Sequence, residues 1–194
     1  SQEGEDMVLK RIFEQKEKGF YVDIGAHHPK RYSNTYIFYK NGWRGINIDA
    51  MPESMKLFNK IRPRDTNLEI GIADKEGKLK YYIFNEKALN SFSEELAKKI
   101  NTENNSYHIK KTINIDVKPL DKILDKYLGE QKIDFLNVDV EGFDLEVLKS
   151  NNWSKYRPKI ILIEILNSSL DNINEHPIKK FMEKINYKIF AKQV

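Results

Sequence analysis

The chain has 194 residues, 40% hydrophobic and 32% charged, with no cysteine, which suits one α/β domain spanning residues 1–194 and excludes a disordered chain, a disulfide scaffold and thiolate chemistry. Its net charge of +4, from 33 basic and 29 acidic residues, is too mild for a nucleic-acid surface, so no nucleic-acid partner is expected. No apolar run approaches the ~20 residues of a membrane span, and no signal peptide is visible, so a cytoplasmic protein is expected, although Ser1 stands where an initiator Met would and the native ends are left open.

Polar residues Ser1–Asp6 precede Leu9, Ile12 and Phe13, whose spacing predicts a first helix with acids near its positive end. Phe20–Ile24 is aromatic or β-branched apart from Asp23 and predicts a buried strand. It stops at Gly25-Ala26, where glycine permits a sharp turn and a close ligand approach. Ser33 or Asn34 could cap a helix carrying Tyr36, Ile37 and Tyr39, which Asn41-Gly42 ends. Gly45–Asp49 predicts a second strand ending in an acid, and Pro52 opens a helix through Met55 and Phe58.

Leu68–Ala73 reads as a third strand, with Leu79–Phe84 as its hairpin partner across the turn Asp74–Gly77. The stretch 85–110 is polar, partly helical and a candidate acceptor-site insertion, and Thr112–Val117 alternates as a half-buried strand should. Leu120, Ile123, Leu124, Tyr127 and Leu128 share one face of an amphipathic helix opened by Pro119. Ile133–Val140 reads as a core strand running into Asp139-Val-Glu-Gly142 and a helix with Leu145 and Leu148 facing inward. Ile160–Leu166, aliphatic except for Glu164, reads as a central parallel strand covered on both faces. Pro177–Ile185 predicts a last helix and Tyr187–Val194 a last strand.

Strands alternating with helices imply a Rossmann-like, doubly wound, mostly parallel α/β sheet. Ligands in such sheets bind beyond the carboxyl ends of the strands. Asp23, Asp49 and Asp139 all fall at such ends. A dinucleotide would call for G-x-G-x-x-G, yet after Gly25 the chain reads Ala-His-His-Pro, and no Gly-Lys-Ser/Thr phosphate loop is present. S-adenosyl-L-methionine carries no phosphate and needs an acid for its ribose plus polar groups for its amino-acid end. Asp49 fits the first role. Asp23, under the turn, fits near the second, and Ser33, Asn34 and Thr35 either bond the methionine carboxylate or cap the next helix.

Four segments carry a resemblance: S-Q-E-G-E-D at Ser1–Asp6; Y-V-D-I-G-A-H-H-P at Tyr21–Pro29 with S-N-T at Ser33–Thr35; G-W-R-G-I-N-I-D-A-M-P at Gly42–Pro52; and D-V-E-G-F-D-L-E-V-L at Asp139–Leu148. In this order they resemble the FkbM-type methyltransferases, a class I group that methylates hydroxyls. The resemblance implies a cofactor pocket lined by Asp23, Gly25 with Ala26, Asp49 with Ala50, and Gly71 and Ile72 after the third strand. It implies an N-terminal segment, residues 1–18, whose Gln2 and Glu5 fold over the site, and it puts Asp139 and Glu141 beside the transferred methyl. Class I sheets finish with an antiparallel hairpin, of which this chain supplies only the first strand, so an exposed sheet edge is expected there.

The expected reaction is O-methylation of a hydroxyl or phosphoryl-type oxygen on a small molecule, sugar or polysaccharide precursor. Asp139 and Glu141 either act on the acceptor or orient backbone and cap the following helix. His28 is either a base at the acceptor or a brace for its loop. No ligand spacing supports a metal, although His28, Asp139 and Glu141 would form a hard-ligand set. Arg62 and Arg64 read as a solvated loop, with reception of an anionic acceptor group as the other possibility. A nicotinamide-dependent sugar oxidoreductase or epimerase is opposed by the missing glycine and by the lack of a Tyr-x-x-x-Lys pair. A non-catalytic RNA-binding module on this scaffold is opposed by the balanced charge.

Overall fold

Strand β1 (Phe20–Ile24) forms the middle of the sheet because its side chains are apolar on both faces, with Tyr21 and Val22 fully buried. The computed structural model of the chain describes residues 1, 3–103, 105–166 and 168–192. On one side of β1 lie β2 (Arg44–Asp49) and β3 (Thr66–Glu69), and on the other β7 (Phe135–Val138) and β8 (Ile160–Ile163). The order is β3-β2-β1-β7-β8 and every pairing is parallel. The chain therefore leaves β1 in one direction and returns on its other flank at β7. That reversal opens a crevice beyond Ile24 and Val138, which stand side by side in the register.

Helices cover the sheet: α1 (Glu5–Ile12), α2 (Tyr36–Lys40), α3 (Ser54–Ile61), α5 (Leu120–Tyr127), α6 (Asp144–Lys149) and α7 (Pro177–Lys184). Leu120, Ile123 and Leu124 of α5 join Val22, Ile46 and Leu136 in one core. Phe13, Phe38, Trp43 and Phe135 build a second, aromatic core with Tyr21. Phe38 sits 4.9 Å from both Trp43 and Phe135, a spacing that gains from ring quadrupoles as well as from burial.

A second sheet stands apart. In it β4 (Gly71–Ile72) pairs in parallel with β6 (Ile109–Lys118), which pairs antiparallel with β5 (Gly77–Phe84). Between β5 and β6 the chain forms a 3-10 turn at Lys87–Leu89 and α4 (Glu94–Glu103).

Four expectations are corrected. The segment Leu68–Ala73 divides at Ile70 into β3 and β4, which belong to different sheets. Residues Leu79–Phe84 pair with β6 rather than with that segment. Strand β8 is an edge of the five-stranded sheet, half-exposed at every residue, not a central strand covered on both faces. The described part of Tyr187–Val194 forms no strand. Tyr187 is instead tied down by its hydroxyl on the Pro158 carbonyl, 2.5 Å, and by its ring 5.7 Å from Trp153. Phe190 beyond it stays 76% exposed and gains no burial from pairing. Among the described residues, no helix is long and apolar enough to cross a membrane.

Candidate functional site

A cavity of about 670 Å³ opens at the crevice between β1 and β7. The turn after β1 forms one lip. Gly25 takes φ +79°, and a Cβ there would lie 1.7 Å from the Asp139 carbonyl oxygen, so no side chain fits. The backbone N–H groups of Gly25 and Ala26 both donate to Ile48 O, at 3.0 and 3.1 Å, which binds the turn to the end of β2.

Asp49, the last residue of β2, accepts from His27 N at 2.7 Å and from Met51 N at 2.8 Å. One carboxylate thus joins the loops that follow β1 and β2. Burial raises its proton affinity, and those two N–H donors pull it back down. Each oxygen keeps a lone pair beyond its backbone bond, and Asp49 and Ala50 both line the cavity. Gly71 and Ile72 of β4 line it as well. A Cβ on Gly71 would meet the Phe92 ring at 2.5 Å, so that ring closes over the strand.

Asp23 is 2% exposed. Its Oδ2 accepts from Thr35 Oγ1 at 2.6 Å and its Oδ1 from Asn137 Nδ2 at 2.8 Å. Asn137 in turn accepts from Asn34 Nδ2 at 3.3 Å. Asn34 Oδ1 is buried at the cavity wall and has no partner among the described residues. A buried acceptor in that position calls for a donor from a ligand. Thr35 is fully buried behind the wall rather than part of its surface.

The opposite wall is acidic. The strand β7 delivers Asp139 at its end, and the turn that follows carries Glu141, whose backbone is left-handed at φ +51°. Two contacts hold that unfavourable conformation. Ser91 Oγ donates to the Glu141 carbonyl at 2.6 Å, and Asp144 accepts from the N–H groups of Val140 and Gly142, both at 3.1 Å. Glu164, just past β8, completes the wall. Asp139, Glu141 and Glu164 offer carboxylate oxygens that all lie within 4.8 Å of one another. Burial raises the proton affinity of Asp139, and the Glu164 charge adds to it. The two carboxyls hydrogen-bond each other. Glu141 is pushed up to about 8 by burial first, then by the charges of Glu164 and Asp139. Asp144 is raised to about 7, again chiefly by burial. Like charges this close cannot all ionise, so the wall offers both proton donors and proton acceptors near neutral pH.

Most of the residues singled out in the sequence therefore meet: Asp23, Gly25, Ala26, Asn34, Asp49, Ala50, Gly71, Ile72, Asp139 and Glu141 all line one cavity. Gln2 lies outside the described residues, whereas Glu3, Glu5 and Val8 from the start of the chain do reach the wall. His28 does not line the cavity. Its Nδ1 accepts from Lys30 N and Arg31 N at 3.1 and 2.9 Å, bracing the loop, and His27 stands at the cavity instead. The acidic group therefore forms with Glu164 rather than with His28. Glu164 had one signal in the sequence, a lone acid in an aliphatic run. Arg62, expected in a solvated loop, is instead fully buried and does not line the cavity.

The family model of the FkbM methyltransferase domain matches residues 23–189. No curated protein and no solved structure matches the chain. The five-stranded parallel sheet, the crevice at its reversal point and this match over nearly the whole chain lead to one conclusion: the protein belongs to the FkbM methyltransferase family.

Proposed function

We propose that the protein is an S-adenosyl-L-methionine-dependent O-methyltransferase. The observation that carries this reading is the placement of the acidic trio Asp139, Glu141 and Glu164 on the wall of the same cavity that Asp49 and Asn34 line. The cavity fits the cofactor at three points. Asp49 has lone pairs for the ribose hydroxyls. Gly71, Ile72 and the Phe92 ring make an apolar slot beside it for the adenine. The orphan Asn34 Oδ1, with Asp23 behind it, suits the ammonium of the amino-acid end.

Bound there, S-adenosyl-L-methionine supplies an electrophilic methyl, whose bond to sulfur breaks with its electron pair left on sulfur as the acceptor oxygen takes the carbon. The chain must then orient the acceptor hydroxyl and receive its proton. An ionised oxygen of Asp139 or Glu141 takes that proton, and the raised proton affinity that burial imposes makes each a stronger base than an exposed carboxylate. The remaining carboxyls of the trio hold the acceptor through hydrogen bonds. Glu3, Glu5 and Val8 from the N-terminal segment narrow the opening. The acceptor class that suits this wall is a polyhydroxylated small molecule, such as a sugar or polysaccharide precursor. Residues 1–194 act in this reading as one methyltransferase domain in the cytoplasm.

The test is calorimetry with S-adenosylhomocysteine, followed by transfer of labelled methyl to a panel of glycan precursors. Binding in the micromolar range is expected, and no binding at high micromolar ligand would overturn the reading. Asp139→Ala should retain that binding and lose turnover.

A further inference from the structure

The loop between β1 and α2 is exposed at its tip yet held firmly. Arg62, fully buried after α3, donates to Pro29 O through Nε and Nη2 at 2.7 and 2.5 Å and to Ser33 Oγ through Nη2 at 2.7 Å, so it grips both ends of Pro29–Ser33. His28 Nδ1 adds a brace by accepting from Lys30 N and Arg31 N at 3.1 and 2.9 Å. His27 and Tyr32 both take left-handed backbone, φ +50° and +58°. Strain of this kind persists only where the surroundings over-determine it, and it collects at functional sites. The side chain that this framework presents is Arg31, which is exposed and lines the cavity. Its guanidinium lies 4.9 Å from the Tyr32 ring, and Nη2 donates to Tyr32 Oη at 3.3 Å.

A second cation reaches the same rim from a distant part of the chain. Lys87 opens the 3-10 turn Lys87–Leu89, is exposed and lines the cavity. Glu86 caps that turn by accepting from Ala88 N at 3.3 Å, and its charge acts on Arg31. Asn90, just past the turn, places Nδ2 3.5 Å from Met51 Sδ, and Asp49 ties Met51 N and His27 N to one carboxylate. The loop and the turn therefore flank the same strand end. Among the described residues neither Arg31 nor Lys87 has an acid within ion-pair distance. The other cations at the wall differ. Lys159 and Lys179 are paired with Asp134 and Glu183 at 3.3 and 2.7 Å, and Lys188 and Lys192 belong to the stretch beyond α7. Glu3 and Glu5 extend the acidic side: Glu5 accepts from Glu3 N at 3.1 Å, and its charge reaches Asp139 and Glu164.

The cavity is thus polarised, with the carboxyls of Asp139, Glu141 and Glu164 on one wall and two unpaired cations on the rim beside Asp49. We propose that Arg31 and Lys87 form a two-pronged receptor for the phosphoryl group of a phosphorylated sugar, the acceptor whose hydroxyls the acidic wall holds. This rests on the methyltransferase reading above and narrows its acceptor class. A phosphate monoester carries about −1.5 to −2 charges near neutral pH, which matches two cations better than the single charge of a carboxylate does. The guanidinium fork takes two phosphoryl oxygens side by side, and the ammonium adds a point charge for the third.

Calorimetry on the protein saturated with S-adenosylhomocysteine compares three probes: glucose, glucose 1-phosphate and glucuronate. The wild type is expected to bind glucose 1-phosphate at least about tenfold more tightly than either of the others. Arg31→Gln and Lys87→Gln should each remove most of that preference. Arg31→Lys, which keeps the charge without the fork, should keep part of it. Both side chains are exposed, so the variants should fold and retain the wild-type affinity for S-adenosylhomocysteine. A wild type that does not favour glucose 1-phosphate, or that binds glucuronate equally well, overturns the phosphoryl receptor while the cofactor reading stands. Variants that keep the full preference overturn the assignment to Arg31 and Lys87. A wild type that binds no S-adenosylhomocysteine overturns both readings.

Discussion

Gly25 and Asp139 meet backbone to backbone: a Cβ on Gly25 would sit 1.7 Å from the Asp139 carbonyl oxygen, and Asp139 N donates to Ile24 O at 3.0 Å. The turn that shapes one lip of the cavity and the strand end that carries the acid are thus one packed unit. The positions of Gly25 and Asp139 are coupled, because neither backbone can shift without displacing the other.

Gly25→Ala should therefore lose more than the cavity lip. Both the clash and the left-handed φ oppose it, and a loss of about 3 kcal/mol or more is expected. A lowered urea midpoint together with lost S-adenosylhomocysteine binding would show this. A variant with native stability and native affinity would refute the coupling.

Asp49→Asn tests the two hydrogen bonds that this carboxylate accepts from His27 N and Met51 N. An amide supplies one oxygen, so one backbone N–H is left facing an amino group. A cost of about 1–3 kcal/mol in stability is expected, along with at least a tenfold loss in affinity for S-adenosylhomocysteine. Thermal melts and calorimetry on the same sample separate the two effects.

Activity and stability should respond to pH in opposite directions. Glu141 binds its proton more tightly in the fold, at about 8, than at its ordinary value of 4.5. A raised carboxyl contributes stability that is complete below the unfolded value and lost as pH rises through the folded one. The melting temperature should fall between pH 4.5 and about 8. A base works only when ionised, so kcat/KM should climb over the upper part of that window and level off above it. Glu141→Gln should flatten this part of the melting curve.

In the proposed reaction Glu164 acts through its neighbours. Glu164→Gln removes a negative charge that holds protons on Asp139 and Glu141. The acid limb of the pH–rate profile should then move to lower pH by about one unit. A profile that keeps its shape and merely loses height would show that Glu164 does not tune the acidic wall.

Ser91→Ala removes the hydroxyl that holds the Glu141 carbonyl. The expected stability cost is about 1 kcal/mol, with a larger proportional drop in kcat than in cofactor affinity, since Glu141 is released and Asp49 is not.

How much of this was legible before folding follows from the range of each signal. The amphipathic α5 was legible because Leu120, Ile123 and Leu124 repeat within a few residues. The glycine turn at the cavity was legible because Gly25 follows Ile24 at a strand end directly, and Asp49 and Asp139 close two more strands. The strand at Ile160–Leu166 was misplaced for a reason of the same kind. A short aliphatic run signals an apolar environment but not its number of neighbours, and among the described residues β8 has a neighbour on one side only. The division of Leu68–Ala73 was hidden because both halves extend and only their partners differ.

The sequence by itself determined that an α/β sheet would present Asp23, Asp49 and Asp139 at strand ends beside a glycine turn, since strand period and turn chemistry act over neighbouring residues. Only the tertiary structure decided which distant groups act on them. It set Glu164 against Asp139, Ser91 under Glu141 and Arg62 against Ser33 and Thr35, because burial and proximity between segments far apart in the chain exist only once the sheet has ordered its strands.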